Sequence, residues 1–432
     1  MKRLPHIFPE DFMKTWFRCL LVLICCLSAR AAEPIVKPND LLGIIGDSIT
    51  EQKLYPVFIE DYLVMCKPVP NVWAIQFGWS GETSWGFLPR MDNDVLRYKP
   101  TIVTLCYGMN DGDYGPGTPE KLAKYRENLE KIVRTFLDRK IRVVVGSPGC
   151  VDTVKFNWRT TPEIYNLTLA AERDIAREIA EKHHCPFADV YQAMFDVMTK
   201  AKAAFGRDYA LAYDGFHPSG NGHLVMAYAF LKAMGFDGNI GTITVDLRAN
   251  KATATEGHAV RSFQNDTVTI ESSKYPFCFL KDREPDDPMS PNSMRGVIRF
   301  IPFNDELNRF MLVIKGAQGN LKITWGGQSG EFSADQLSKG INLAAEFMDN
   351  PFVEPFRKVH YAIQQQQIFE TPSIKHIVHY QERYREALGE RGASMDKLIQ
   401  LLADVDRGLY ETAVKTMTPV THTIKIEAVK QR

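Results

Sequence analysis

The sequence has no surplus of charge of either sign, with 52 Lys and Arg set against 52 Asp and Glu across 432 residues. A balanced chain creates no field that would gather nucleic acid or an anionic membrane, so neither is expected as a partner. Cysteine is scarce and poorly spaced. Of eight cysteines, Cys19, Cys25 and Cys26 sit near the N-terminus, and Cys66, Cys106, Cys150, Cys185 and Cys278 are odd in number and scattered. That pattern is no disulfide framework; one bridge is possible, between ends that spacing does not choose. There is no C-x-x-C pair and no metal-finger spacing, so no metal is expected. Past the first thirty residues no apolar run is long enough to cross a bilayer. No internal repeat is evident.

The N-terminus has a different character. From Met13, Lys14 and Arg18 lead into an apolar stretch of about nine residues, followed by Ala29-Arg30-Ala31, an A-x-A cleavage pattern. Residues 1–31 therefore read as a signal peptide, and the protein as exported, either secreted or periplasmic. The alternative, an uncleaved N-terminal anchor, is disfavoured because the apolar run falls short of the roughly 17 residues that a spanning helix needs, and no stable membrane insertion is expected after signal removal.

Between about residues 40 and 240, short apolar runs alternate with longer amphipathic segments. Strands are predicted at 41–46, 72–77, 101–107, 141–147 and 186–190, and helices at 119–138 and 162–183. Such alternation predicts an α/β domain, a doubly wound, flavodoxin-like parallel sheet with helices on both faces. Pro218 and Ser219 fit the start of a further helix and Gly235 its stop. Beyond 240 the pattern changes. Residues 242–330 read as short strands, among them TITVDL, DTVTIES, GVIRFIP, FMLVIKG and LKITWGG. From Ser333, which is spaced from Gln336 as a capping box, the pattern is mainly helical to 415 before a final β-like THTIKIEAV. Residues 241–432 are thus an accessory region of β then α content.

Ligands of open α/β sheets bind beyond the carboxyl ends of the strands. Three polar loops that carry glycine fall there: Gly46-Asp47-Ser48, then GWSGETSW at 78–85, then GMNDGDYG at 108–115. A fourth motif, Asp214-Gly215-Phe216-His217, follows later. Ser48 alone reads equally well as a turn residue. A serine hydroxyl becomes a nucleophile when a base within reach removes its proton, and an imidazole suits that task near neutral pH. Asp214 stands three residues before His217 and can orient the ring if the segment turns back on itself.

The four motifs, in this order, resemble the SGNH hydrolases, also called the GDSL-like esterase and lipase family, over residues 40 to about 235. The resemblance implies Ser48 as nucleophile, His217 as base and Asp214 as its orienting acid. It also implies an oxyanion hole built from the Ser48 and Gly81 backbone N–H groups and the Asn110 side chain. Ile49 stands where the family has the leucine of GDSL, and the G-x-S-x-G turn of the α/β-hydrolases is missing. The expected activity is hydrolysis of short-chain acyl esters, such as O-acetyl groups on carbohydrate, through an acyl-enzyme and without a cofactor. An acyltransferase using the same residues, or a binding protein on a degenerate version of the fold, are the alternatives. Trp79, Trp85 and Trp158 suit either a sugar-binding face or core packing. His376 and His379, one helical turn apart, read as a surface pair.

Overall fold

The computed structural model describes residues 33–429, so the predicted signal segment 1–31 lies outside the described residues. Strands β1 (Leu41–Gly46), β2 (Trp73–Gln76), β3 (Ile102–Cys106), β4 (Arg142–Gly146) and β5 (Phe187–Ala188) form one parallel sheet in the order β2-β1-β3-β4-β5. This is the flavodoxin-like order, whose direction of winding reverses between β1 and β3. β1 and β3 are buried at every position, which explains their unbroken apolar sequence. Gly46 pairs with Cys106, so the two strands end level and their loops leave side by side.

The strand period of two divides these side chains between two cores. Leu42, Ile44 and Val144 face one; Ile45, Val103, Leu105 and Val145 face the other. The first core is closed by α2 (Tyr55–Asp61), which follows the short α1 (Ser48–Glu51), and by two later helices. The second is closed by α3 (Pro119–Asp138) and α4 (Pro162–Lys182). α3 shows how local sequence fixes such a helix. Thr118 caps its first turn by accepting from the Lys121 N–H, Pro119 occupies the first helical position, and Tyr125, Leu129, Ile132, Val133 and Phe136 form its buried stripe. α5 (Val190–Phe205) and α6 (Gly220–Ala233) complete the first face, and α6 ends, as expected, just before Gly235.

The accessory region contributes two further sheets. Strands β6 (Asn239–Asp246), β7 (Lys251–Ala254), β8 (His258–Gln264), β9 (Thr267–Ser272), β10 (Arg309–Lys315), β11 (Leu321–Trp325), β12 (Gln328–Phe332), β13 (Ile341–Asn342) and β14 (Val420–Ala428) arrange as β13-β10-β6-β7 and β12-β11-β14-β9-β8. Phe310, Trp325, Phe352 and His422 pack together in the core these sheets share. A buried polar chain runs through it. The Trp325 indole N–H donates to His422 Nδ1, which assigns the proton on Nε2; that donates to Ser272 Oγ, which donates to His258 Nδ1, and His258 Nε2 donates to the Ile240 carbonyl. Both rings are neutral in this chain, and burial lowers both pKa values, that of His422 to about 3.

One expected strand is corrected. GVIRFIP does not pair in a sheet: Met294–Val297 is helical, capped by Ser293, and runs into a tight turn at Ile298–Phe300. A short, continuous apolar run carries no period to separate buried strand from buried helix, and here Val297, Ile298 and Ile301 are all buried by the helical route. The Ser333–Gln336 capping box is formed as read.

After the sandwich, α7 (Val353–Pro372) continues through a wider turn, Ser373–Val378, and α8 (Ser394–Thr416) packs back along it. α7 also lies on α2 and on the edge strand β2 of the parallel sheet. Buried polar groups join them: Glu60 accepts from Gln367 and from the Ala74 N–H, Asp61 meets His360, and Glu370 accepts from the Gln76 N–H. From Ile35 onward the chain packs as one unit.

Candidate active site

Ser48 stands two residues beyond the end of β1, at the first position of α1. Asp47 caps that helix, accepting from the Ile49 N–H at 2.9 Å. A helix leaves its first N–H groups unpaired, so the Ser48 amide is available to an acceptor from outside. The Ser48 Oγ lies 2.9 Å from His217 Nε2. On the far side of the ring, Nδ1 is 2.7 Å from Asp214 Oδ2.

The Asp-Gly-Phe-His segment does turn back on itself. Asp214 Oδ1 accepts from the N–H groups of Phe216 and His217 at 3.0 and 2.8 Å, which leaves Oδ2 for the ring. Burial works to raise the Asp214 pKa, but the hydrogen bonds from His217 and Phe216 outweigh it and hold the carboxyl below its ordinary value. An ionised Asp214 accepts from Nδ1–H, and this fixes the tautomer in which Nε2 carries the lone pair facing Ser48. His223, six residues on, differs. It is fully buried, accepts from the Tyr55 N–H and bonds Gln52, and burial lowers its pKa to about 3.

Gly81 is exposed and adopts φ +75°, the third residue of a turn closed by the Glu82 N–H donating to the Trp79 carbonyl. The left-handed backbone favours glycine there. Gly78, at the base of the same loop, has a different reason: a Cβ would lie 2.2 Å from the Glu51 nitrogen, so only glycine lets this loop pass against α1.

Asn110 points its amide into the same space. The Tyr114 hydroxyl donates to Asn110 Oδ1 at 3.0 Å, and Nδ2 donates to the Glu82 carbonyl at 2.9 Å and reaches Asp47 Oδ2 at 3.4 Å. Oxygen and nitrogen are thereby assigned, with the donor side facing Asp47. Glu82 is fixed in turn by Arg90, which donates to both carboxylate oxygens at 2.6 Å, and by the Tyr107 hydroxyl. Asp111 holds the neighbouring loop by accepting from the Ser84 N–H at 3.0 Å. Burial pushes Asp47 up to about 7 and Asp111 up to about 6. Among the described residues no group of three or more His, Cys, Asp or Glu side chains is disposed to hold a metal. All five cysteines from Cys66 onward are free.

The model of the GDSL-like Lipase/Acylhydrolase family matches residues 44–225, a span that contains every residue of this cluster. This region belongs to the GDSL-like lipase/acylhydrolase family. Its relatives include an acetylxylan esterase of Geobacillus stearothermophilus, 27% identical over 221 residues that cover 46% of this chain and 95% of that protein. An isoamyl acetate-hydrolyzing esterase of Saccharomyces cerevisiae is 26% identical over 210 residues, covering 44% of this chain and 84% of that one. The chain is a carboxylic ester hydrolase. Its fold beyond the GDSL-like region has a counterpart too: a gut microbial diltiazem-metabolizing enzyme superposes with a TM-score of 0.72 at 22% identity, over 93% of this chain and 100% of that one.

Some neighbours of this GDSL-like site left no signal in the sequence. Tyr114 orients Asn110 and packs against Phe216, which in turn lies against His217. His379 is no free surface residue; it bonds Asp94 at 2.8 Å and lies against the Trp79 ring. Only the packing of α7 and its extension on the sheet brings these together. Trp85 and Trp158 are half exposed, whereas Trp79 is packed between charged side chains.

Proposed function

We propose that this chain is an exported serine esterase that removes acetyl or similarly short acyl groups from carbohydrate. The observation that carries the reading is the line Ser48 Oγ, His217, Asp214, joined by contacts of 2.9 and 2.7 Å. In the first step Ser48 Oγ attacks the ester carbonyl while His217 Nε2 takes its proton; the carbonyl electron pair moves onto oxygen. Asp214 stabilises the imidazolium through Nδ1–H. Collapse of the tetrahedral intermediate expels the alcohol, which takes the proton from His217. Water, deprotonated by the same nitrogen, then attacks the acyl-Ser48 and releases the acid.

The developing oxyanion is received by the N–H groups of Ser48 and Gly81 and by Asn110 Nδ2. Of the two acceptors now on Nδ2, the Asp47 carboxyl at 3.4 Å is the one a substrate oxygen displaces. Support for a carbohydrate substrate comes from aromatic faces open to water. Trp158 and Tyr213 are 50% and 61% exposed, and Trp158 leans on Tyr114, the residue that orients Asn110. Trp85, Thr83, Asn110 and Lys124 line a cavity of about 310 Å³. The acetyl assignment draws on the two relatives, an acetylxylan esterase and an isoamyl acetate-hydrolyzing esterase.

The test uses the purified chain without residues 1–31 on p-nitrophenyl esters of two, four and eight carbons, beside Ser48→Ala. Turnover fastest on the two-carbon ester and lost in the variant is expected. Equal rates in the variant would overturn the serine reading, and a preference for eight carbons would overturn the short-acyl one.

A further inference from the structure

The loop that carries Gly81 is not held by the GDSL-like region alone. From the end of β2 to Trp79 it meets one side chain after another from α7 and its extension. The Gln76 N–H donates to Glu370, and Gln76 Nε2 donates to Thr371 Oγ1 at 2.8 Å; Gln76 Oε1 then accepts from the Gly78 N–H at 3.0 Å. The Ser80 N–H donates to Glu51, three residues beyond Ser48. Glu51 is gripped by Lys375 Nζ, at 2.8 and 3.0 Å from its two oxygens. The same Nζ lies 4.7 Å from the centre of the Trp79 ring, and His379, anchored on the buried Asp94, covers that ring at 4.7 Å.

We propose that Lys375 is a positioning residue for the reaction: from the accessory region it fixes the 78–82 loop, and with it the Gly81 N–H, relative to Ser48. The inference rests on the serine-esterase reading above. Its physical basis is local. Gly81 has no side chain and Ser80 is exposed, so the direction of the Gly81 N–H depends on what holds the residues on either side of the pair: Glu82, fixed by Arg90 and Tyr107, and Trp79 with Ser80. Lys375 acts on the N-terminal side, on Ser80 through Glu51 and on Trp79 through the ring face, which Arg90 also meets. Both the Lys375 and Glu51 side chains are mostly buried, at 15% and 20% exposure, so the pair is little screened by solvent. The accessory helices are therefore part of the catalytic apparatus and not an appendage to it.

The experiment compares Lys375→Met, Lys375→Arg, Glu51→Gln and Ser48→Ala in the chain from residue 32 onward. It measures kcat and KM on p-nitrophenyl acetate, the melting temperature, and amide hydrogen exchange of a peptide spanning 77–83. Lys375→Met is expected to lower kcat roughly 10- to 100-fold with KM within about twofold of the parent. Exchange in 77–83 should quicken while that of β3 and β4 does not change, and Lys375→Arg should recover most of the rate. Glu51→Gln should reproduce the effect, with the double variant no worse than the weaker single one. Should Lys375→Met melt early, Glu51→Gln carries the test. Parent-like kcat with parent-like exchange would overturn the proposal, as would a fall in kcat without change in 77–83. Activity retained in Ser48→Ala sinks the serine reading; an inactive Ser48→Ala beside a parent-like Lys375→Met sinks the positioning role alone.

Discussion

The Oγ of Ser48 and the Nε2 of His217 lie 2.9 Å apart, though the two residues are 169 positions apart in the chain. Groups that act as a unit lose their function together. Ser48→Ala and His217→Ala are each expected to lower kcat by roughly 10⁴- to 10⁶-fold, and the double variant no further. Asp214→Asn keeps the turn through its carbonyl oxygen but can offer an N–H to Nδ1, which favours the wrong ring tautomer. A loss of about 10²-fold or more is expected, read as kcat on p-nitrophenyl acetate.

Asn110→Ala removes one proposed oxyanion donor and leaves the nucleophile and base in place. Its expected effect is a fall of about 10²- to 10³-fold in kcat with KM little altered. Gly81→Ala should also be slow, for a backbone reason. The added Cβ meets nothing within 4 Å, so any loss comes from the φ of +75°, which alanine resists. A crystal structure of that variant would show the turn rotated rather than a displaced neighbour.

The exposed aromatics separate substrate binding from chemistry. Trp158→Ala should raise KM several-fold on acetylated xylo-oligosaccharides yet leave turnover of p-nitrophenyl acetate near the parent rate. A uniform fall on both substrates would instead assign Trp158 to supporting Tyr114, its neighbour at 6.4 Å between ring centres.

Stability should depend on pH through the carboxyls buried between α2, α7 and α8. Burial lifts Glu60 from its ordinary 4.5 to about 8, and burial raises Glu370 as well, beside Asp406. The folded chain thus keeps protons that the unfolded chain has released at neutral pH, so stability falls as pH rises from the unfolded value through the folded one. Glu60→Gln, which keeps a side-chain oxygen for the Ala74 N–H, should show a smaller drop in melting temperature between about pH 5 and pH 8 than the parent.

The parallel sheet was legible because each of its strands carries a period or a length that nothing else in the segment contradicts. β1 and α3 fall where the apolar pattern puts them, at 41–46 and 119–138. The segment at 296–302 was not, since an unbroken apolar run has no period and helix and strand bury it equally well. Ser48, Gly81 and Asn110 could be named because short motifs mark them at the ends of predicted strands, and Asp214 and His217 because a fourth motif stands before a predicted helix, the four together resembling one family. Tyr114, Glu51 and Lys375 could not. Their relation to those residues is made by packing across as many as 324 positions, and a single sequence holds no trace of it.

The most direct test of the central claim is the site of covalent modification by an organophosphate ester such as diethyl p-nitrophenyl phosphate, which traps an activated serine. The account predicts one phosphoryl group per chain, found by peptide mass mapping on Ser48, appearing in step with loss of activity and absent from Ser48→Ala. Complete inactivation with the label on another residue, or turnover that persists with Ser48 fully modified, would contradict it.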